Sequence, residues 1–204
     1  MTHAVADAAA DGAGRAYWFL DTLAVVHSAT PPLVMEVTVP PGGSPPLHVH
    51  DDLDDCSYLL EGALAVRCGD STSQAHPGAY LPQPRGVPHT FRVLGSRPAR
   101  MLLIHGDDSF LRLIQSLGVP ARSHTVPSGL APVHLEVLER ALREVGVSVV
   151  GPSMTAAEAA SIASPAKSRP AAGSGAEESR SLSQRAMGAP LQWQGPHQLG
   201  AGGP

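Results

Sequence analysis

Leu33, Met35, Val37 and Val39 alternate with Val34, Glu36 and Thr38, and that period of two predicts a half-buried strand. The run Pro40-Pro41-Gly42-Gly43 closes it as a turn. Upstream, residues 16–26 are rich in aromatic and β-branched side chains and predict two short strands broken near Asp21. Downstream, residues 57–68 read as two strands joined tightly at Glu61-Gly62, where glycine supplies a turn geometry that other residues resist. Residues 69–73 read as a turn and residues 78–82 as a short strand. Alternation returns over residues 88–94, setting His89, Phe91 and Val93 on one face and Thr90, Arg92 and Leu94 on the other. Residues 99–105 predict a last strand before the pattern changes.

A helical period then takes over. Phe110, Leu113, Ile114 and Leu117 follow the i, i+3, i+4, i+7 rule, behind the capping candidates Asp107, Asp108 and Ser109 and ahead of Gly118. A second helix is predicted over 132–145, with Leu135, Leu138, Leu142 and Val145 on one stripe, Pro132 in its first turn and Gly146 as its stop. Strands first and helices last predict helices packed on the outside, or across an edge, of one sheet structure. Residues 1–14 are small and acidic with no period and are expected to be disordered. From Gly151 the composition shifts to Ala, Ser, Gly and Pro, too few apolar groups to offset the entropy of ordering. The predicted organisation is a disordered 1–14, a β-domain over 15–106, a helical extension over 107–151 and a low-complexity, disordered tail over 152–204. Within that tail only residues 155–163 suit a helical turn or two.

Composition narrows the class. The 204 residues carry 43% hydrophobic and 16% charged side chains, as a globular chain does, and suffice for one core without disulfide staples. A net charge of −4 gives no electrostatic footprint for nucleic acid. Cys56 and Cys68 are too few for a disulfide framework and their spacing matches no zinc ribbon or redox pair, so a reducing compartment fits. No secretory-type run and no apolar stretch of about 18 residues occurs, so the expectation is a cytoplasmic chain with no membrane partner.

The chemistry lies in residues 43–93. His48 and His50 are two apart on a strand, so they point the same way at a spacing of about 7 Å and one metal ion can be shared by both. His89 shares its face with apolar residues, as a ligand at the wall of a greasy cavity would. His27, His76, His124 and His134 have no partner at ligand spacing and read as surface or loop residues; His105 does too, with a place at one end of the barrel as the alternative. Cys56 and Cys68 read as small buried hydrophobes, Arg85 as a solvated turn residue, and the aspartates from Asp51 to Asp55 lack the ligand spacing of a calcium loop.

Two clusters, His48-Val-His50 running on through Asp55 to Glu61-Gly62, and Gly78 through Pro84-Arg85-Gly86 to His89, resemble the paired motifs of the cupin superfamily over about residues 30–106. The resemblance implies a mainly β fold, a cupin (double-stranded β-helix or jelly-roll) barrel with C-terminal helices. It also implies one divalent transition metal ion, whether Fe, Mn, Ni, Cu or Zn, with His48, His50, Asp55 and His89 on the four ligand positions. The chain departs from the family pattern twice: Asp55 stands where glutamate is usual, and Val93 where the second motif usually ends on asparagine. Aspartate is one methylene shorter, so either the backbone moves inward, or the carboxylate sits outside the metal's ligand set and three histidines hold the ion.

Residues 106–152, with their helices and the pair Gly151-Pro152, resemble the extension of single-domain bacterial cupins of the quercetin 2,3-dioxygenase-like kind. That resemblance implies a metal-dependent oxygenase whose partners are O2 and a small-molecule substrate, aromatic or enolic, with Phe91 and Val93 excluding water. Asp55, if not a ligand, is then the catalytic base for a substrate hydroxyl. A non-oxidative isomerase or lyase and a non-catalytic binding barrel are the alternatives. Pairing through sheets into a homodimer is also implied, with residues 16–26 as the candidate exchange strand.

Overall fold

The computed structural model describes residues 15–164 except 129, 131 and 132. The disorder expected over 1–14 and 165–204, and the helix start expected at Pro132, lie outside the described residues. Twelve strands and three helices follow in chain order. They are β1 (Ala16–Phe19), β2 (Thr22–Ser28), β3 (Leu33–Val39), β4 (Pro46–His50), β5 (Asp55–Glu61), β6 (Leu64–Cys68), β7 (Ser71–Ala75), β8 (Tyr80–Gln83), β9 (His89–Val93) and β10 (Ala99–His105). After these come α1 (Ser109–Leu117), β11 (Val119–Pro120), α2 (Leu135–Glu144), β12 (Val147–Ser153) and α3 (Ala156–Ala163).

The strands form two antiparallel sheets. The seven-stranded sheet has the order β11-β1-β2-β3-β10-β5-β8, and the five-stranded sheet has the order β12-β4-β9-β6-β7. Successive strands change sheets at β3 to β4, β4 to β5, β5 to β6, β7 to β8, β8 to β9, β9 to β10 and β11 to β12, which is a jelly-roll arrangement. The β5 to β6 crossing turns at Gly62, whose φ is +87° and whose added Cβ would lie 2.8 Å from Ala99 Cα. Only glycine fits that turn. The period of two in β3 is matched by strict alternation of burial, and Leu33, Met35, Val37 and Val39 meet Leu59, Leu64, Val93 and Met101 in the core between the sheets. In β1 and β2 the expected break falls at Leu20, which takes a positive φ of 54°. Both strands pair within their own sheet, β1 with β2 and β2 with β3.

α1 follows its predicted stripe and buries Leu113 and Ile114 in the core. In α2 Leu138 is buried while Leu135, on the same predicted stripe, is 57% exposed. Two stretches read otherwise from their pattern. Residues 71–75, expected to begin in a turn, form β7, an edge strand that stays mostly exposed and takes its register from β6 rather than from its own side chains. β12 pairs with β4 and closes the edge of the sheet that carries His48 and His50, so ordered structure continues past Gly151.

α3 begins at a capping box in which Thr155 and Glu158 satisfy each other's backbone N–H groups. Ahead of it Met154, 2% exposed, packs with Ala159 against Ala65 of β6, and Arg92 donates to the Met154 carbonyl at 3.0 Å. Among the described residues no helix is long and apolar enough to cross a membrane.

Candidate metal centre

Neighbouring strands β4 and β9 bring the two histidine clusters together. His48 and His89 are direct cross-strand partners, and His50 is one further step of the same face along β4. The ring centroids lie 4.4 Å apart for His48 and His89, 5.0 Å for His50 and His89, and 5.2 Å for His48 and His50. One ligand nitrogen from each falls within 4.8 Å of the others. The turn 84–86 is fastened from both sides. Gly86 N–H donates to the His50 carbonyl at 2.8 Å, and Arg85, solvated as expected, pairs with Asp54 at 3.0 Å.

Each ring has a defined free nitrogen. His48 Nδ1 lies 2.8 Å from the Pro46 carbonyl and His89 Nδ1 lies 2.9 Å from the Val87 carbonyl. A carbonyl can only accept, so Nδ1 carries the proton in both rings and the Nε2 lone pair is left over. Burial pushes the His48 imidazole down to about 4, with the neighbouring His89 adding to the effect against the Pro46 carbonyl. Burial likewise lowers His89. Both are therefore neutral at pH 7, the protonation state a metal requires. His89 Nε2 is buried with no hydrogen-bond partner. A buried lone pair facing two other imidazole nitrogens, with no donor to meet it, fits a cation. The all-imidazole donor set suits Fe, Ni, Cu or Zn.

Asp55 takes a different position. At the first residue of β5, its Oδ2 lies 2.5 Å from His50 Nδ1 and 3.0 Å from His105 Nε2. It groups with His50 and His105, a second set of ligand atoms within 4.8 Å of one another that shares His50 with the first, rather than with His48 and His89. These contacts are close in distance but off line in angle, so neither Asp55 oxygen has a well-aligned hydrogen bond. Burial opposes charge on Asp55, but the His105 and His50 imidazoles outweigh it and hold the carboxyl below its usual range. With a carboxylate at its Nδ1, His50 too presents Nε2 as the free nitrogen.

Of the two readings of His105, the burial overturns the surface one and agrees with the one that lines the end of the β-domain. At 2% exposure it is as enclosed as Asp55 at 5%, His89 at 4% and His50 at 8%. Its position is set by β10, which ends between β3 and β5 and turns the ring inward beside Asp55. The signal in the sequence is that His105 continues the inward alternation of Met101 and Leu103. That phase acquires meaning only once β10 is known to lie beside β5.

The centre opens into a cavity of about 210 Å³ between the sheets. Its walls include Val37, Phe91, Met101 and Leu103 from the strands, and helices α1 and α2 close it with Phe110 and Leu138. Among the described residues no lysine or arginine lines it. Of the two expected wall residues Phe91 is present, whereas Val93 is sunk in the core behind it. Cys56 and Cys68, expected to be buried, are both half-exposed.

Comparison with known proteins finds a family model and several solved structures similar to part of the chain. Residues 35–105 match the family model of the cupin domain, which supports the cupin superfamily for that stretch. No curated protein matches the chain. Among solved structures the chain is similar to TT1209 from Thermus thermophilus at 28% identity, covering 45% of this chain and 83% of that one with a TM-score of 0.38. It is similar to KdgF from Halomonas sp. at 20% identity, covering 42% and 79% with a TM-score of 0.39. It is also similar to the polyketide cyclase RemF from Streptomyces resistomycificus at 28% identity, covering 42% and 64% with a TM-score of 0.37.

Proposed function

We propose, on the premise that residues 35–105 form a cupin domain, that the chain is a metal-dependent oxygenase of small, mostly apolar, aromatic or enolic substrates. The observation that carries the reading is the convergence of three imidazoles, His48, His50 and His89, each with its Nδ1 turned to a carbonyl or carboxylate oxygen and its Nε2 left over, at one end of an apolar cavity. Three nitrogens would hold one divalent transition metal and leave it open positions. When bound, such an ion polarises a substrate oxygen and provides a site for O2.

The chain's own residues do the rest. Phe91, Leu103 and Phe110 bury the substrate's ring and exclude water. Walls without lysine or arginine among the described residues disfavour phosphates and dicarboxylates, whose charge would be left without a partner. Asp55, whose Oδ2 lies between two imidazoles, orients His50, and the base role weighed for it in the sequence is not part of this reading.

The test is metal analysis of protein purified without added metal, followed by O2 uptake with a panel of flavonols and catechols. Stoichiometric metal with substrate-dependent O2 uptake is the expected outcome. Product without O2 uptake makes the protein an isomerase or lyase, and metal-dependent binding without product makes it a binding protein.

A further inference from the structure

His50 and His105 line two different spaces. One is the apolar cavity of the metal centre, and the other is a polar cleft bordered by Asp52, Asp107, Arg112 and Glu144. Between the two rings stands Asp55. Both imidazoles approach its Oδ2, among the described residues Oδ1 meets no hydrogen-bond partner, and a carboxylate at 5% exposure is costly unless paired. His105 is itself bordered on two sides. Its Nδ1 lies 3.3 Å from Asp107 Oδ1 without an aligned hydrogen bond, and its ring stacks on Phe110 with centroids 6.1 Å apart and planes inclined by 13°. Asp107 is in turn fastened by the Ser109 backbone N–H at 2.8 Å. The line Asp107, His105, Asp55, His50 therefore runs from the polar cleft to the metal centre.

We infer that His105 is a positioning residue of the metal centre: by holding the Asp55 carboxylate against His50 Nδ1, it fixes the tautomer and direction of one of the three metal-facing nitrogens. The inference rests on the metal reading above. Asp55 Oδ2 faces His50 and His105 rather than His48 and His89, and a carboxylate released by His105 would have a single partner and freedom to rotate away from His50. His50 would then carry its proton on either nitrogen, and part of the population would present N–H instead of a lone pair to the metal. His48 and His89 need no such support, because backbone carbonyls set their tautomers.

The experiment uses the full chain, stripped of metal and titrated with Co(II), with His105→Phe and His105→Gln as the variants. Phenylalanine keeps the ring and its stacking on Phe110 but has no donor. Glutamine returns a donor near the Nε2 position. His105→Phe is expected to weaken Co(II) binding roughly 10–100-fold and to shift the visible Co(II) bands, and His105→Gln to recover most of both. A ring that merely fills the core would move the melting temperature without moving the spectrum. A folded His105→Phe with the parent's affinity and bands overturns the inference. If that variant does not fold, Asp107→Ala, which removes a 41% exposed side chain, decides. It is expected to weaken Co(II) binding several-fold, and parental affinity there overturns the inference. His48→Ala separates the two levels. If it binds Co(II) as the parent does, the metal reading has failed and the inference with it, whereas loss in His48→Ala with retention in His105→Phe removes the positioning role alone.

Discussion

His48 and His89 face each other directly across β4 and β9, with ring centroids 4.4 Å apart. One ring nitrogen of each, with one of His50, falls within 4.8 Å of the others. His48→Ala, His50→Ala and His89→Ala should therefore each abolish stoichiometric metal binding, because a three-nitrogen site loses its geometry with any one ring. Metal analysis after dialysis checks this. Undiminished metal in all three variants would remove the assignment.

Asp55→Ala should behave differently. With the carboxylate on His50 Nδ1 rather than among the metal-facing nitrogens, the variant is expected to bind one metal per chain with affinity lowered roughly 10–100-fold. Complete loss of metal would return Asp55 to the ligand set. Asp55→Glu adds a methylene in a buried space and is expected to cost about 1–3 kcal/mol of stability without tightening the metal. Thermal melts and metal titration of both variants distinguish the two roles.

The metal-free protein should lose stability as pH falls from about 6.5 towards 4. In the unfolded chain His48 takes its proton near 6.5, while in the fold burial delays it to about 4, so across that window the unfolded state binds more protons and gains. The contribution is fully present above 6.5 and lost as pH drops through 4. Melting temperatures in chelator across this range should fall for the parent and fall less steeply for His48→Ala. An equal slope in both would show that His48 is not held neutral by the fold.

Leu142→Trp tests the cavity apart from the metal. Leu142 projects from α2 into the cavity and is only half-buried, so a larger ring there is expected to occupy substrate space at a cost of about 1–3 kcal/mol. Metal content should match the parent while O2 uptake with any active substrate drops at least tenfold. Parental turnover would mean that the substrate does not use this cavity.

Truncation after Ser153 should lower the melting temperature. It removes Met154 and α3 from β6, and burying a methionine of this kind contributes about 2–3 kcal/mol, or roughly 4–12 °C for a domain of this size. Differential scanning fluorimetry of that variant beside one ending at Ser164 measures it. The longer variant is expected to melt with the full chain, since residues 165–204 carry few apolar groups and no period.

Most strands, the first helix and the three histidines were legible in the order of residues. A period of two in β3 and β9 and a period of 3.6 in α1 are local, because the backbone geometry of each element sets them within a few residues. His48-Val-His50 is local for the same reason, and so is the glycine at position 62, where a side chain would collide with Ala99. Three further matters depended on the assembled fold. β7 and β12 are strands because β6 and β4 offer them open edges, and their own side chains carry little of that information. The helical turns expected over residues 155–163 are present as α3, but its packing with Met154 on Ala65 depends on β6 lying beneath them. The role of Asp55 was open in the sequence because a carboxylate can reach a metal or a ring nitrogen with nearly the same side chain. What Asp55 meets in the fold is decided by β10, which sets His105 beside it from fifty residues away along the chain, and no local pattern encodes that approach.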